Sequence, residues 1–99
     1  MTNFHILIPS YNCQRWIERC LESVSIQTVQ PSGVLVIDDG SSEHGYSELA
    51  LQQCKNRGFS YLRNSGNLKC PFNIWMGVKV LDPDPEDVIF LLDGDDFLP

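Results

Sequence analysis

Five aspartates stand at the ends of two apolar runs. Asp38 and Asp39 close VLVIDD, and Asp93, Asp95 and Asp96 close VIFLLDGDD. Carboxylates packed this closely repel one another unless a cation or hydrogen-bond donors offset their charge. A hard divalent cation is the simplest remedy. Mg2+ and Mn2+ take oxygen ligands, commonly one or two carboxylates, with substrate phosphates and waters completing the shell. The Asp-x-Asp spacing suits such a site, because alternate residues of an extended segment point the same way and Gly94 lets the backbone come close. An acidic site of this kind binds an anion through the metal.

Other chemistry-bearing residues are less organised. His5 lies within an apolar run and His44 in a polar loop, and neither has a partner at metal spacing. Cys13, Cys20, Cys54 and Cys70 form no CxxC pair; they read as reduced thiols of a cytoplasmic protein, with Cys20 and Cys54 small core residues. Asp82, Asp84, Glu86, Ile89 and Asp93 fall on the ligand spacing of a calcium loop. Asp87 stands where that loop needs glycine, and Pro83 and Pro85 interrupt it, so no calcium function is assigned.

The elements that must position the aspartates follow from apolar patterning. Phe4 to Pro9 is a short β-branched run closed by proline, a buried strand. Asn12 is the expected N-cap of a helix whose apolar face comprises Cys13, Trp16, Ile17, Cys20, Leu21 and Val24, which places Trp16 in the core. QPSG turns the chain into a second strand, Val34 to Asp38, and a helix from Tyr46 to Arg57 stops at Gly58. A third strand is expected over 59–62, and a third helix begins near Pro71 and runs to about Leu81. DPDPED breaks that helix, and Val88 to Leu92 form a buried fourth strand.

The order βαβαβαβ, with apolar runs that do not alternate, predicts an α/β fold: a mostly parallel open sheet with helices on both faces. Right-handed crossovers bring every strand-to-helix loop to one edge, where ligands of open α/β sheets bind. PSYN, DDGSS, RNSG and DGDD all belong to that edge.

Ninety-nine residues correspond to a single domain, 1–99. A formal charge of −6, without a basic stripe, argues against nucleic acid as a partner. No signal peptide or membrane segment is expected, since no apolar run approaches the length of a span.

Taken together, ILIPSYNCQRWIERCLESVSIQT, VLVIDDGSS, RNSGN and VIFLLDGDD resemble, in order and spacing, the nucleotide-sugar-binding half of family 2 glycosyltransferases, with a Rossmann-like GT-A core. The resemblance spans nearly the whole chain. It implies transfer of a sugar from a nucleotide-sugar donor to an acceptor hydroxyl, with Mn2+ or Mg2+ bridging the diphosphate. By the same resemblance Pro9, Ser10 and Tyr11 line the nucleobase, and Asp39 accepts a hydrogen bond from a uracil imide, as in relatives that use UDP-sugars. Asp38 fixes the loop, and Asp93 meets the ribose. Asp95 is the metal ligand, assisted by Asp93 and Asp96.

Two departures from the family pattern stand out. Pro71, Phe72 and Asn73 occupy the place of the frequent ARN, so an arginine near the diphosphate is missing, and Arg63, Asn64 or Lys69 is the expected substitute for phosphate or loop contacts. The family's acceptor half and general base lie downstream of the DxD motif, so this chain is expected to be the donor-binding half. A noncatalytic nucleotide-sugar-binding module is the alternative reading. A receiver-like signalling domain ranks last, because its acid pair should follow the first strand, not the second.

Overall fold

A computed structural model describes residues 3–99. Four strands, β1 (Phe4–Ser10), β2 (Gly33–Asp38), β3 (Ser60–Arg63) and β4 (Val88–Leu91), alternate with three helices, α1 (Ile17–Ser25), α2 (Tyr46–Arg57) and α3 (Cys70–Leu81). All pairings are parallel, in the order β3-β2-β1-β4. The chain therefore has the α/β architecture expected from its patterning.

Alternation within the central strands divides the core into two layers. Ile6, Ile8, Val34 and Val36 face α1 and α2, where Ile17, Cys20, Leu21, Val24, Tyr46, Ala50 and Cys54 complete one cluster. Leu7, Leu35 and Ile37 face the other way, onto Met76 and Leu81 of α3. Burial on both faces explains why these strands read as unbroken apolar runs. Gly77 permits the close seating of α3, since a Cβ there would come within 2.5 Å of the Leu7 side chain. Burial pushes the Cys20 and Cys54 thiols up, to about 12 and about 11, which keeps them protonated and inert.

Helix α2 ends as expected, with Gly58 in the left-handed conformation at its C-terminus. Helix α3 begins at Cys70 with Pro71 in its first turn.

Three expectations are corrected. Asn12 does not cap α1: it has φ 51° and its side-chain oxygen accepts the N–H groups of Ser42 and Glu43, at 3.0 and 2.9 Å, in the loop after β2. The helix instead starts one turn later, after Trp16 and Ile17 have donated their N–H groups to the Cys13 carbonyl. Trp16 consequently lies at the helix entrance, 42% exposed, and not in the core. Finally, β4 is not buried: it is an edge strand whose Val88, Phe90 and Leu91 are exposed, Phe90 by 55%. Phe90 does pack edge-on against Phe4, ring centroids 5.9 Å apart. An apolar run reports what a strand can bury, not whether a neighbour covers it.

The segment after the acidic loop folds back along α1. Leu98 N–H donates to Ser23 Oγ at 2.9 Å, and the Arg19 guanidinium lies 3.6 Å from the centre of the Phe97 ring. No helix among the described residues is long and apolar enough to cross a membrane.

Candidate functional site

Parallel strands place the ends of β1, β2 and β4 side by side, and the loops that follow them border an open cleft of about 260 Å3. Pro9, Ser10 and Tyr11 form one wall and Asp93, Gly94 and Asp95 another. Asp39, Cys13, Cys70 and Asn73 complete the lining. Two aspartates more than fifty residues apart in sequence, Asp39 and Asp95, thus share one pocket.

The walls are joined through the backbone. Asp39 N–H donates to the Ser10 carbonyl at 2.9 Å and Gly94 N–H to the Pro9 carbonyl at 3.0 Å. Gly94 is required at its position, since a Cβ there would lie 2.8 Å from Ser10 Cβ and 3.1 Å from Cys13 Sγ. The Cys20 thiol points at the Asp93 carbonyl from α1, at 3.7 Å.

The two acids at the end of β2 have different surroundings. Asp38 is fully buried and accepts hydrogen bonds from Ser41 N–H (2.9 Å), Ser47 Oγ (2.7 Å) and Tyr61 Oη (2.6 Å). Burial by itself would push its carboxyl up, but the bonds from Ser41, Tyr61 and Ser47 outweigh it and hold the group below the usual carboxylate range. Its oxygens are thereby consumed in building the loop.

Asp39, also buried, faces the cavity. Its Oδ1 accepts from Asn64 Nδ2 (3.0 Å) and Leu68 N–H (2.8 Å), and its Oδ2 from Lys69 N–H (3.0 Å). Burial again pushes up, and the hydrogen bonds from Leu68, Asn64 and Lys69 outweigh it, leaving the carboxyl below its ordinary value. A carboxylate has about four acceptor directions, so Oδ2 keeps one for a further donor. The grip on Asp39 also strains the chain. Lys69 has φ 74° and ψ 164°, a region that only glycine occupies readily and that costs other residues about 1–3 kcal/mol.

Asp93, Asp95 and Asp96 present carboxylate oxygens that all lie within 4.8 Å of one another. All three residues are exposed; Asp93 and Asp95 also line the cavity, whereas Asp96 does not. Three carboxylates converging in this way offer oxygen donors of the kind that hard divalent cations take.

Arg63, Asn64 and Lys69, expected at phosphate or loop contacts, all make loop contacts. Arg63 donates to Ser47 Oγ (3.0 Å) and to the Ser41 carbonyl (3.2 Å), and lies 3.8 Å from Asp38, so its guanidinium braces the loop after β2. Asn64 is buried against Asp39. Lys69 reaches Asp39 through its backbone N–H. Sequence reasoning missed the participation of Cys13, Cys70 and Asn73 in the lining. Asn73 had a signal, as the single amide in the apolar helical stretch PFNIWMGV.

Comparison with known proteins bears on the family and the fold. The profile described as "Glycosyl transferase family 2" matches residues 5–99. Chondroitin synthase of Escherichia coli is 47% identical over 38 residues, 38% of this chain and 6% of that protein. Glycosyltransferase GlyA of Streptococcus pneumoniae is 31% identical over 72 residues, 62% of this chain and 10% of that protein. The chain thus spans a tenth or less of the length of these relatives. Among solved structures, S. aureus TarS 1-349 in complex with UDP-GlcNAc superposes with a TM-score of 0.77 at 22% identity, over 98% of this chain and 27% of that one. Glucosyl-3-phosphoglycerate synthase from Mycobacterium tuberculosis, in complex with Mn2+, UDP and glucosyl-3-phosphoglycerate, gives 0.69 at 14% identity, over 97% and 36%.

Proposed function

We propose, on the premise that the chain belongs to glycosyl transferase family 2, that it supplies the donor-binding part of an enzyme that moves a sugar from a UDP-sugar to an acceptor hydroxyl. The observation that carries this reading is the shared cavity: Asp39, held as an acceptor, and the pair Asp93 and Asp95 line the same space.

At the β2 end, the open direction on Asp39 Oδ2 accepts one N–H. Uracil offers such a donor at its ring imide, whereas the corresponding ring nitrogen of cytosine is an acceptor and would face a carboxylate that cannot donate. Pro9, Ser10 and Tyr11 form the wall beside this acceptor, and the half-exposed Tyr11 ring offers a face for stacking. At the β4 end Asp93 would accept from ribose hydroxyls. Asp95, assisted by Asp93 and Asp96, would hold Mn2+ or Mg2+, and the ion would offset charge developing on the departing diphosphate. The relatives and solved neighbours named above support this reading through what they are described as doing, including UDP-GlcNAc and Mn2+ with UDP in two complexes.

Titration of UDP in the presence of Mn2+, repeated with chelator, tests the proposal. Saturable binding that weakens at least tenfold on chelation is expected. Equal binding in both conditions, or none in either, removes the metal-bridged nucleotide from consideration.

A further inference from the structure

Asn73 is 2% exposed, lies on α3, and lines the cavity. A buried amide in an otherwise apolar helix costs stability unless its polar atoms are engaged. Here Asn73 Oδ1 accepts a hydrogen bond of 2.7 Å from Asn64 Nδ2, and the same Asn64 nitrogen donates to Asp39 Oδ1 at 3.0 Å. The two hydrogens of one amide are therefore divided between two oxygens. Rotating the Asn64 amide by half a turn would set its oxygen against both acceptors, so Asn73 and Asp39 together fix its orientation.

This fixed amide has a directional effect. With Asn64 Nδ2 and Leu68 N–H both on Oδ1, that oxygen is filled, and Oδ2, engaged by Lys69 N–H alone, is left with room for a ligand. We propose that Asn73 is a positioning residue for nucleobase selection: acting through Asn64, it fills Asp39 Oδ1 and makes Oδ2 the oxygen that reads the imide N–H of the base. This inference rests on the nucleotide-binding reading above and adds to it the residue that sets its base preference. Without Asn73 the Asn64 amide is held by Asp39 alone and loses its second anchor, so the acceptor presented to the base is less firmly directed.

The test compares UDP and CDP, each with Mn2+, on the wild-type chain and on N73A and N73D, with thermal melts as the folding control. The wild type is expected to prefer UDP by at least tenfold. N73A is expected to reduce that preference severalfold, mainly through loss of UDP affinity, while CDP binding changes about twofold or less. N73D keeps an oxygen for Asn64 but sets a second carboxylate beside Asp39. The pH at which the UDP preference is half lost should then move up by about one unit, whereas a role confined to packing would leave it in place. The other ionisable groups on the cavity, Asp93, Asp95, Tyr11, Cys13 and Cys70, are common to all three proteins. A folded N73A that keeps the wild-type preference overturns the assignment. Should N73A fail to fold, an unshifted pH midpoint in N73D overturns it. Absence of UDP binding in the wild type instead overturns the nucleotide reading itself, and the two failures are thereby distinct.

Discussion

Gly40 and Gly66, in the loops that follow β2 and β3, touch backbone to backbone: a Cβ on Gly40 would lie 2.6 Å from the Gly66 carbonyl carbon. Gly40 also has φ +70°, whereas a Cβ on Gly66 would meet nothing within 4 Å. The contact is therefore asymmetric in its tolerance. Gly40→Ala should destabilise the domain by about 1–3 kcal/mol and weaken UDP binding by loosening the loop that grips Asp39. Gly66→Ala should leave both nearly unchanged. Urea unfolding and UDP titration of the pair provide the comparison, and similar effects of the two substitutions would contradict it.

Lys69 gives a prediction of the opposite sign. Its backbone sits in territory suited to glycine, and its N–H is what binds Asp39. Lys69→Gly keeps the N–H and removes the steric penalty, so a rise in stability of about 1 kcal/mol is expected. The gain is limited because glycine also enlarges the freedom of the unfolded chain. A fall in melting temperature would show that the Lys69 side chain has a structural contact of its own.

Acid should unfold the domain through its two buried carboxylates. Asp38 and Asp39 have folded values below the ordinary 3.8, so each contributes stability that is fully present above the unfolded value and is lost as pH falls through the folded one. Stability should therefore hold constant from neutrality to about pH 5 and decline below about pH 4. Tyr61→Phe, which deletes the 2.6 Å bond to Asp38, should lower stability at pH 7 by about 1–2 kcal/mol and flatten the acid limb. Denaturant midpoints measured across that range, for both proteins, test the slope.

For the metal, Asp95→Asn should reduce UDP affinity in Mn2+ to the level seen with chelator, leaving the fold intact because Asp95 is exposed. Gly94→Ala should reach the same end by a different route, since its new methyl would collide with Ser10 and Cys13 and displace the acidic loop from the strand end. Mn2+ dependence that survives in Asp95→Asn would transfer the ligand role to Asp93 and Asp96.

The architecture was legible because both faces of the sheet are covered, so β1 and β2 had to read as unbroken apolar runs, and because Gly58 and Pro71 punctuate their helices as their backbone preferences dictate. Convergence of Asp39 with Asp93 and Asp95 followed from topology. What escaped was decided by contacts distant in sequence. Asn12 has the composition of a helix cap, and only the arrival of Ser42 and Glu43 redirects its oxygen. Trp16 has the period of a core residue, yet the delayed start of α1 turns it outward. β4 is as apolar as β1, but its position at the sheet edge leaves Phe90 and Leu91 in the open. Of the two roles expected for Arg63, phosphate or loop contact, its bonds to Ser47 and Ser41 show the loop contact.

The bonds that Ser42 and Glu43 donate to Asn12, like those that Leu68 and Lys69 donate to Asp39, close loops of about thirty residues. Such contacts form only after the intervening chain has been ordered, because the entropy of closure precedes their reward. The pocket rim is consequently a late arrival in folding, assembled on a finished sheet. In hydrogen exchange, the amides of Ser42, Glu43, Leu68 and Lys69 would open as one low-energy unit while those of β1 and β2 stay closed. A nucleotide bound there would be felt first in the protection of those four amides.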